Sequence, residues 1–408
     1  MITRRPKENM PWACLLGDIS MVRALGKSGI PVAVATADIS DKCIHSRYCM
    51  EVVNIPGWEK DPAETYTALT EWAAKQDAKP VLYYQTDTDL LWISRFEDQL
   101  AKYFHFVIPD SELVLDLVDK SRFSDRAASC GLPVPPTKII EDTRRFRGHL
   151  DTWKSFPCIL KPITRTDAWH RLLSKDKKAL QINSNEELVA VLETLQSESS
   201  ALILQSLVRG GEENVLSYHA YVAEDREVLV EFTGAKIRTS PRQYGFSTYL
   251  EITDDQEVRD LGRDIVNKLE FRGVLKIDFK RDDESGRLYV LEINPRFNLW
   301  HHPGTIAGAP IPEVVYWNCV DSTKVRKFSN ARSGVRWMRP RCDLRSFIEY
   351  RSTNELTAIR WLYQALAVDV NEGFEFSDLG PVVNDVLDIF RTRRFSGNTT
   401  TDKSCRSH

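Results

Sequence analysis

Lys276, Asp278, Glu292, Asn294 and Arg296 crowd two carboxylates, an amide and two cations into one short stretch of chain. Residues 273–280 and 287–296 are both β-patterned. The polar run Arg281-Asp282-Asp283-Glu284-Ser285-Gly286 between them ends in glycine, which reads as a hairpin turn. Side chains alternate faces along a strand, so Glu292 and Asn294 share a face. Positions 278 and 292 are symmetric about 285, inside the turn, which sets Asp278 opposite Glu292. Two carboxylates and an amide oxygen suit a hard, oxygen-seeking cation. Mg2+ ordinarily takes one or two carboxylates together with substrate phosphates. Lys276 and Arg296 would repel a bare metal ion, but they fit a site that also receives a polyphosphate. The competing reading is a solvated polar face. It does not account for the Val, Leu, Ile and Phe residues around the carboxylates, since a buried carboxylate pair needs a compensating cation.

The hairpin needs a scaffold. Over the first 110 residues strand-like runs (12–16, 31–36, 52–55, 81–84 and 106–108) alternate with helix-like runs (21–28, 61–76 and 89–103). That alternation predicts a parallel α/β sheet with crossover helices. Asp61-Pro62 supplies an N-cap with proline at the first helical position. After the first strand, Gly17-Asp18-Ile19-Ser20-Met21 matches neither a dinucleotide fingerprint nor a P-loop, so the sheet reads as a structural or substrate-contacting unit. Gly131-Leu132-Pro133-Val134-Pro135-Pro136 is a stiff connection. Beyond it, strands are expected near 157–163, 202–208, 215–223, 227–238, 273–281 and 287–295, with helices at 184–197 and 254–269. Consecutive strands with short gaps predict antiparallel pairing and an α+β region. From about 321 the pattern gives one strand (335–338), helices near 343–350 and 354–366, and a polar, disordered tail from about 394.

Composition narrows the classes. A chain of 408 residues predicts two or three domains. Fifty-five basic against 58 acidic residues give a net charge of -3, which argues against a dedicated nucleic-acid binder. No apolar run approaches the roughly 20 residues of a membrane span. The basic N-terminus is not followed by an apolar core, so no signal peptide is expected and the chain reads as cytoplasmic. Eight cysteines (Cys14, Cys43, Cys49, Cys130, Cys158, Cys319, Cys342 and Cys405) include no CxxC pair and read as reduced thiols.

The hairpin resembles the metal-binding end of the ATP-grasp superfamily, and the rest of residues 12–320 agrees in order. Lys120 in Leu117-Val118-Asp119-Lys120-Ser121-Arg122 matches the lysine before the lid. Lys161 in Pro157-Cys158-Ile159-Leu160-Lys161-Pro162 matches the lid lysine. The run 202–208 matches the hinge strand that reads adenine, through Gln205, Ser206, Leu207 and Val208, and Glu212 or Glu213 matches the ribose acid. Within the superfamily the chain is similar to carboxylate–amine ligases of the D-aspartate ligase type, in Phe232-Thr233-Gly234-Ala235-Lys236-Ile237-Arg238, Phe279-Lys280-Arg281-Asp282 and Asn294-Pro295-Arg296-Phe297 followed by Trp300-His301-His302. It departs in three places. Gln205 stands where glutamate is usual, the loop after Lys161 lacks glycines and offers Thr164, Arg165 and Thr166 instead, and Lys276 stands where D-alanine ligases have arginine.

The resemblance implies an N-terminal parallel-sheet (pre-ATP-grasp) domain over 1–118. It also implies an ATP-grasp domain over 119–320 with a mobile lid at about 137–208, and leaves 321–408 as a C-terminal extension. It implies ATP and one or two Mg2+ ions, with Mn2+ as a substitute. Lys120 and Lys161 would hold phosphates; Asp278, Glu292 and Asn294 would hold metal; Lys236, Arg238, Lys276 and Arg296 would steady the transferred phosphate and a substrate carboxylate. The implied reaction activates a small-molecule carboxylate as an acylphosphate and couples it to an amine, such as that of an amino acid, with a homodimer by analogy only. A small-molecule phosphotransferase and a non-catalytic ATP-binding regulator remain the alternatives. His301 and His302 are candidates for substrate contact or amine deprotonation. Trp169, Trp300 and Trp317 could line a pocket, and Arg47 could touch an acceptor. Arg332, Arg336, Arg339, Arg341 and Arg345 form a basic stretch that suits either an anionic substrate or a solvated surface.

Overall fold

Asp18, two residues beyond the first strand, starts the first helix. Its side chain accepts the backbone N–H groups of Ser20 and Met21, two donors that a helix start would otherwise leave unsatisfied. In the computed structural model of the protein this turn joins β1 (Ala13–Leu16) to α1 (Ile19–Lys27). The structure describes residues 10–38, 40–146, 152–163, 169, 179–195, 201–242, 245–326, 328 and 330–385. Thr164, Arg165 and Thr166 and the tail from 394 lie outside the described residues.

The expected parallel sheet is present in the order β3-β2-β1-β4, with β2 (Val32–Thr36), β3 (Cys49–Asn54) and β4 (Val81–Tyr84). α2 (Pro62–Ala73) begins on the expected Asp61 cap. The helix expected over 89–103 is two: α3 (Asp87–Arg95) and α4 (Glu97–Leu100). Phe96 leaves helical geometry between them (φ -109°, ψ 22°) and stacks on Tyr66. Residues 106–108 form no strand. His105 makes one bridge to Val81, while Val107 and Ile108 are apolar because they are buried, not because they pair.

α5 (Ser111–Val118) and α6 (Lys120–Ser129) lead to a four-stranded antiparallel sheet in the order β5-β8-β6-β7: β5 (Thr137–Ile140), β6 (Cys158–Pro162), β7 (Leu180–Ile182) and β8 (Leu202–Ser206). α7 (Asn185–Leu195) buries Leu188, Leu192 and Leu195 in the same small core as Trp169.

The third sheet has seven strands, ordered β13-β12-β9-β10-β11-β14-β15. It contains β9 (Val215–Val222), β10 (Val228–Ser240), β11 (Phe246–Thr253), β12 (Gly273–Arg281) and β13 (Leu288–Asn294), with α8 (Gln256–Lys268) packed against it. No sequence expectation covered β11, although its alternation of aromatic and β-branched residues was visible. α9 (His301–Ile306) and α10 (Ile311–Val320) follow. β14 (Arg336–Met338) and β15 (Val370–Asn371) then add two strands to this sheet, so residues beyond 320 are built into it. Between them lie α11 (Pro340–Ser352) and α12 (Ala358–Leu366).

Among the described residues no helix is long and apolar enough to cross a membrane. Cys14, Cys43, Cys49, Cys130, Cys158 and Cys319 are free thiols, whereas Cys342 is disulfide-bonded, which departs from the reading of all eight as reduced.

Candidate active site

The hairpin forms with the expected register. β12 and β13 pair Asp278 with Glu292 and Lys276 with Asn294, and Gly286 takes the positive φ (70°) that closes the turn. The ladder slips beside Asp278, between it and Phe279, a bulge that re-aims side chains at this point.

Asp278 is 1% exposed. Its Oδ2 accepts from Lys276 Nζ at 2.7 Å and from Lys236 Nζ at 3.0 Å. Its Oδ1 is equally buried and has no hydrogen-bond partner. Burial alone would raise the Asp278 pKa, but Lys236 and Lys276 outweigh it and hold the carboxyl far below the ordinary range. Burial likewise disfavours the charge on both lysines. In Lys236 the carboxylates of Asp278 and Glu292 more than offset it, raising the pKa; in Lys276 they do not, and the pKa is lowered. Asn294 Nδ2 donates to Glu292 Oε1 at 3.2 Å, which fixes the third member of the set. Among the described residues no group of three or more His, Cys, Asp or Glu side chains could hold a metal, so any ion here must draw on an amide and on ligand oxygens.

These groups face a cavity of about 1100 Å³ that opens between the antiparallel sheet and the seven-stranded sheet. Lys120, Lys161, Gln205, Ser206, Leu207, Val208, Glu212, Glu213, Lys236, Arg238, Asp278, Glu292 and Asn294 all line it. Sequence positions spread over 175 residues thus meet in one space.

Several contacts differ from expectation. Gln205 holds Lys161 Nζ at 3.1 Å and donates to Thr137 Oγ1 at 3.0 Å, so its side chain ties strands of one sheet together. The Ser206 and Leu207 N–H groups are donated to the carbonyls of Pro136 and Pro157. Lys161 lies where burial lowers its pKa, with Glu292 opposing that shift and Lys120 adding to it. Glu212 accepts from Thr239 Oγ1. Lys276 and Arg296 do not line the cavity. Lys276 stands behind Asp278, while Arg296 reaches the turn between β4 and α3, with Nε 2.5 Å from Asp87 Oδ1 and Nη1 3.1 Å from Gln85 O. Arg238 is committed elsewhere. Its Nε and Nη2 donate to Asp343 at 2.9 and 2.8 Å, its Nη1 donates to Gln364, and Tyr249 stacks beneath it.

His301 and His302 are 0% and 1% exposed and do not reach the cavity. Burial lowers their pKa to about 3 and about 4, which favours the neutral imidazole in the folded chain. Trp169 and Trp300 are likewise core, and Trp317 does not line the cavity. Arg47 Nη1 donates to Ser377 O at 3.2 Å, and burial raises the Cys49 thiol to about 11. Within the basic stretch Arg336 pairs with Glu251 and Arg339 with Glu372. The sequence reading missed Asp343, Asp87 and Gln364. Arg238 and Asp343 are 105 residues apart, and no local pattern links them.

Residues 118–298 match the family model of the ATP-grasp domain. This segment is an ATP-grasp domain. A D-aspartate ligase of Enterococcus faecium (strain Aus0004) is 27% identical over 275 residues, which cover 64% of this chain and 65% of that relative, just under two thirds of its length. An N5-carboxyaminoimidazole ribonucleotide synthetase in complex with ADP superposes with a TM-score of 0.59 at 14% identity, covering 82% of each chain. An L-amino acid ligase from Bacillus licheniformis gives 0.55 at 12% identity over 79% of this chain and 78% of its own. At those identities the structural likeness concerns the fold.

Proposed function

We propose that the protein is an ATP-dependent ligase that activates a substrate carboxylate and couples it to an amine, probing the same cavity with all three reactants. The observation that carries this reading is Asp278. A carboxylate with two lysines on one oxygen and a buried, unpartnered second oxygen is complete on one side and open on the other. Asp278 Oδ1, Glu292 and Asn294 fit Mg2+, which takes carboxylate and carbonyl oxygens and shares phosphate oxygens with its substrate. A bound Mg2+ would supply charge neutralisation for the triphosphate. Lys120, Lys161 and Lys236 line the same space and would hold phosphate oxygens. With the Ser206 and Leu207 N–H groups already used, reading of the base falls to Val208 and to backbone carbonyls.

A carboxylate does not condense with an amine in water, because hydroxide is a poor leaving group. In the proposed reaction a carboxylate oxygen attacks the γ-phosphorus, the β–γ bridging bond breaks and ADP leaves. The amine nitrogen then attacks the acyl carbon, phosphate departs with its oxygen, and the amine gives up a proton. The chain's contribution is positioning and charge neutralisation, not a nucleophile. The buried histidines take no part.

The test is an ADP-release screen of amino acids against small carboxylates, with product masses read in parallel. ADP, phosphate and a new amide formed one for one support the ligase. A stable phosphorylated product indicates a phosphotransferase, and the absence of substrate-dependent ADP release contradicts both.

A further inference from the structure

Four arginines line the cavity: Arg209, Arg238, Arg242 and Arg360. Three are spent on acids, Arg209 on Glu284, Arg238 on Asp343 and Arg242 on Glu355. The Arg360 guanidinium has no hydrogen bond or ion pair among the described residues. It sits on α12, beyond the segment that matches the ATP-grasp domain.

The way α12 is mounted shows where Arg360 points. Trp361 faces inward, stacking on Phe347 with ring centroids 4.9 Å apart and donating Nε1 to Asp343 at 2.8 Å. Gln364 accepts from Arg238, and its carbonyl oxygen accepts from Tyr249. Ile359, Leu362, Tyr363 and Leu366 face outward. Arg360 and Gln364 are one turn apart, hence on one face, and both line the cavity together with Tyr350, Glu355 and Leu356. A helix tied down at Trp361 and Gln364 therefore presents one uncommitted guanidinium to the cavity.

We infer that Arg360 is a specificity-determining residue that selects a substrate bearing an extra carboxylate, such as an acidic amino acid or a dicarboxylate. This rests on the ligase reading above. A guanidinium matches a carboxylate or a phosphate through two parallel N–H donors. Lys120, Lys161 and Lys236, three of the four lysines that line the cavity, hold phosphate in that reading, which assigns Arg360 to the substrate carboxylate.

The experiment compares matched probes: aspartate with asparagine, glutamate with glutamine, and succinate with succinamate, each by ADP release and amide mass. The wild type is expected to favour the charged member in kcat/KM by about tenfold or more, the worth of one charge-assisted hydrogen bond. Arg360→Ala should erase that preference by raising KM for the charged member, with KM for ATP and kcat nearly unchanged. Arg360→Lys should restore part of it. Arg351→Ala, an exposed arginine of α11 outside the cavity, should change nothing. A preference unaltered in Arg360→Ala, or no preference in the wild type while amides still form, overturns the inference and spares the ligase reading. A rise in KM for ATP instead assigns Arg360 to phosphate and also overturns it. No amide from any pair defeats the ligase reading, and the inference falls with it.

Discussion

Lys236 and Arg238 stand two positions apart on β10, and each meets a buried aspartate. Arg238 meets Asp343, which is 0% exposed and accepts from Arg238 Nε, Arg238 Nη2, Thr248 Oγ1 and Trp361 Nε1, a full set of four donors. Lys236 meets Asp278, which is nearly as buried but takes its two lysines on one oxygen and leaves the other bare. A register shift between Lys236 and Arg238 separates the two environments. The same pairing chemistry serves two ends. The saturated aspartate fastens α11 and α12 to the sheet and has no acceptor site left. The unsaturated carboxylate is held charged by its two lysines and keeps one oxygen without a hydrogen-bond partner. A buried ion pair is therefore read by its unfilled valences and not by its presence.

The comparison can be strained from both sides. The largest expected effect is on chemistry. Lys161→Ala should lower ATP turnover by about a hundredfold to a thousandfold or more, with the circular dichroism melt nearly unchanged. Retained turnover would remove the cavity from the mechanism. Next in size is Asp343→Ala, which leaves the Arg238 guanidinium buried and uncompensated. It should cost about 3–5 kcal/mol in urea denaturation. A loss below about 1 kcal/mol would show that the saturated pair does not fasten α11 and α12.

A smaller, graded effect comes from the histidines beneath the site. Their folded pKa values, about 3 for His301 and about 4 for His302, lie below the ordinary 6.5. The unfolded chain therefore takes up protons first as pH falls. Stability is complete above about pH 6.5 and declines below it until the folded pKa is reached. His301→Leu should flatten the decline between pH 6.5 and 4 by one histidine's share. An unchanged slope would mean that His301 protonates freely in the folded state. The smallest expected effect is on stability in Glu292→Gln, within about 0.5 kcal/mol, because Glu292 is exposed.

The open pair was legible in the sequence and the saturated one was not. Period-two alternation and a symmetric turn are local, so the Asp278–Glu292 register could be counted from the chain. Lys120, Lys161 and the 202–208 run were found through family resemblance, not through any spacing of their own. Arg238 was expected at the transferred phosphate or a substrate carboxylate through the resemblance of the Phe232–Arg238 segment. Its true partner, Asp343, comes from a helix far along the chain and carries no motif. Arg296 was likewise expected at the transferred phosphate or a substrate carboxylate through the resemblance, and in the structure it pairs with Asp87 at the start of α3. The apolar run 106–108 shows the converse failure, in which burial without pairing mimics a strand.

The central claim is that Asp278 and Glu292 bind a divalent cation together with ATP. Calorimetric titration of ATP into the full chain, with Mg2+ and with EDTA, tests it without knowledge of the other substrates. The account predicts binding that weakens about tenfold or more when Mg2+ is removed, and a Glu292→Gln variant in which that metal dependence is largely lost. Equal affinity for ATP with and without Mg2+, in both proteins, would contradict it.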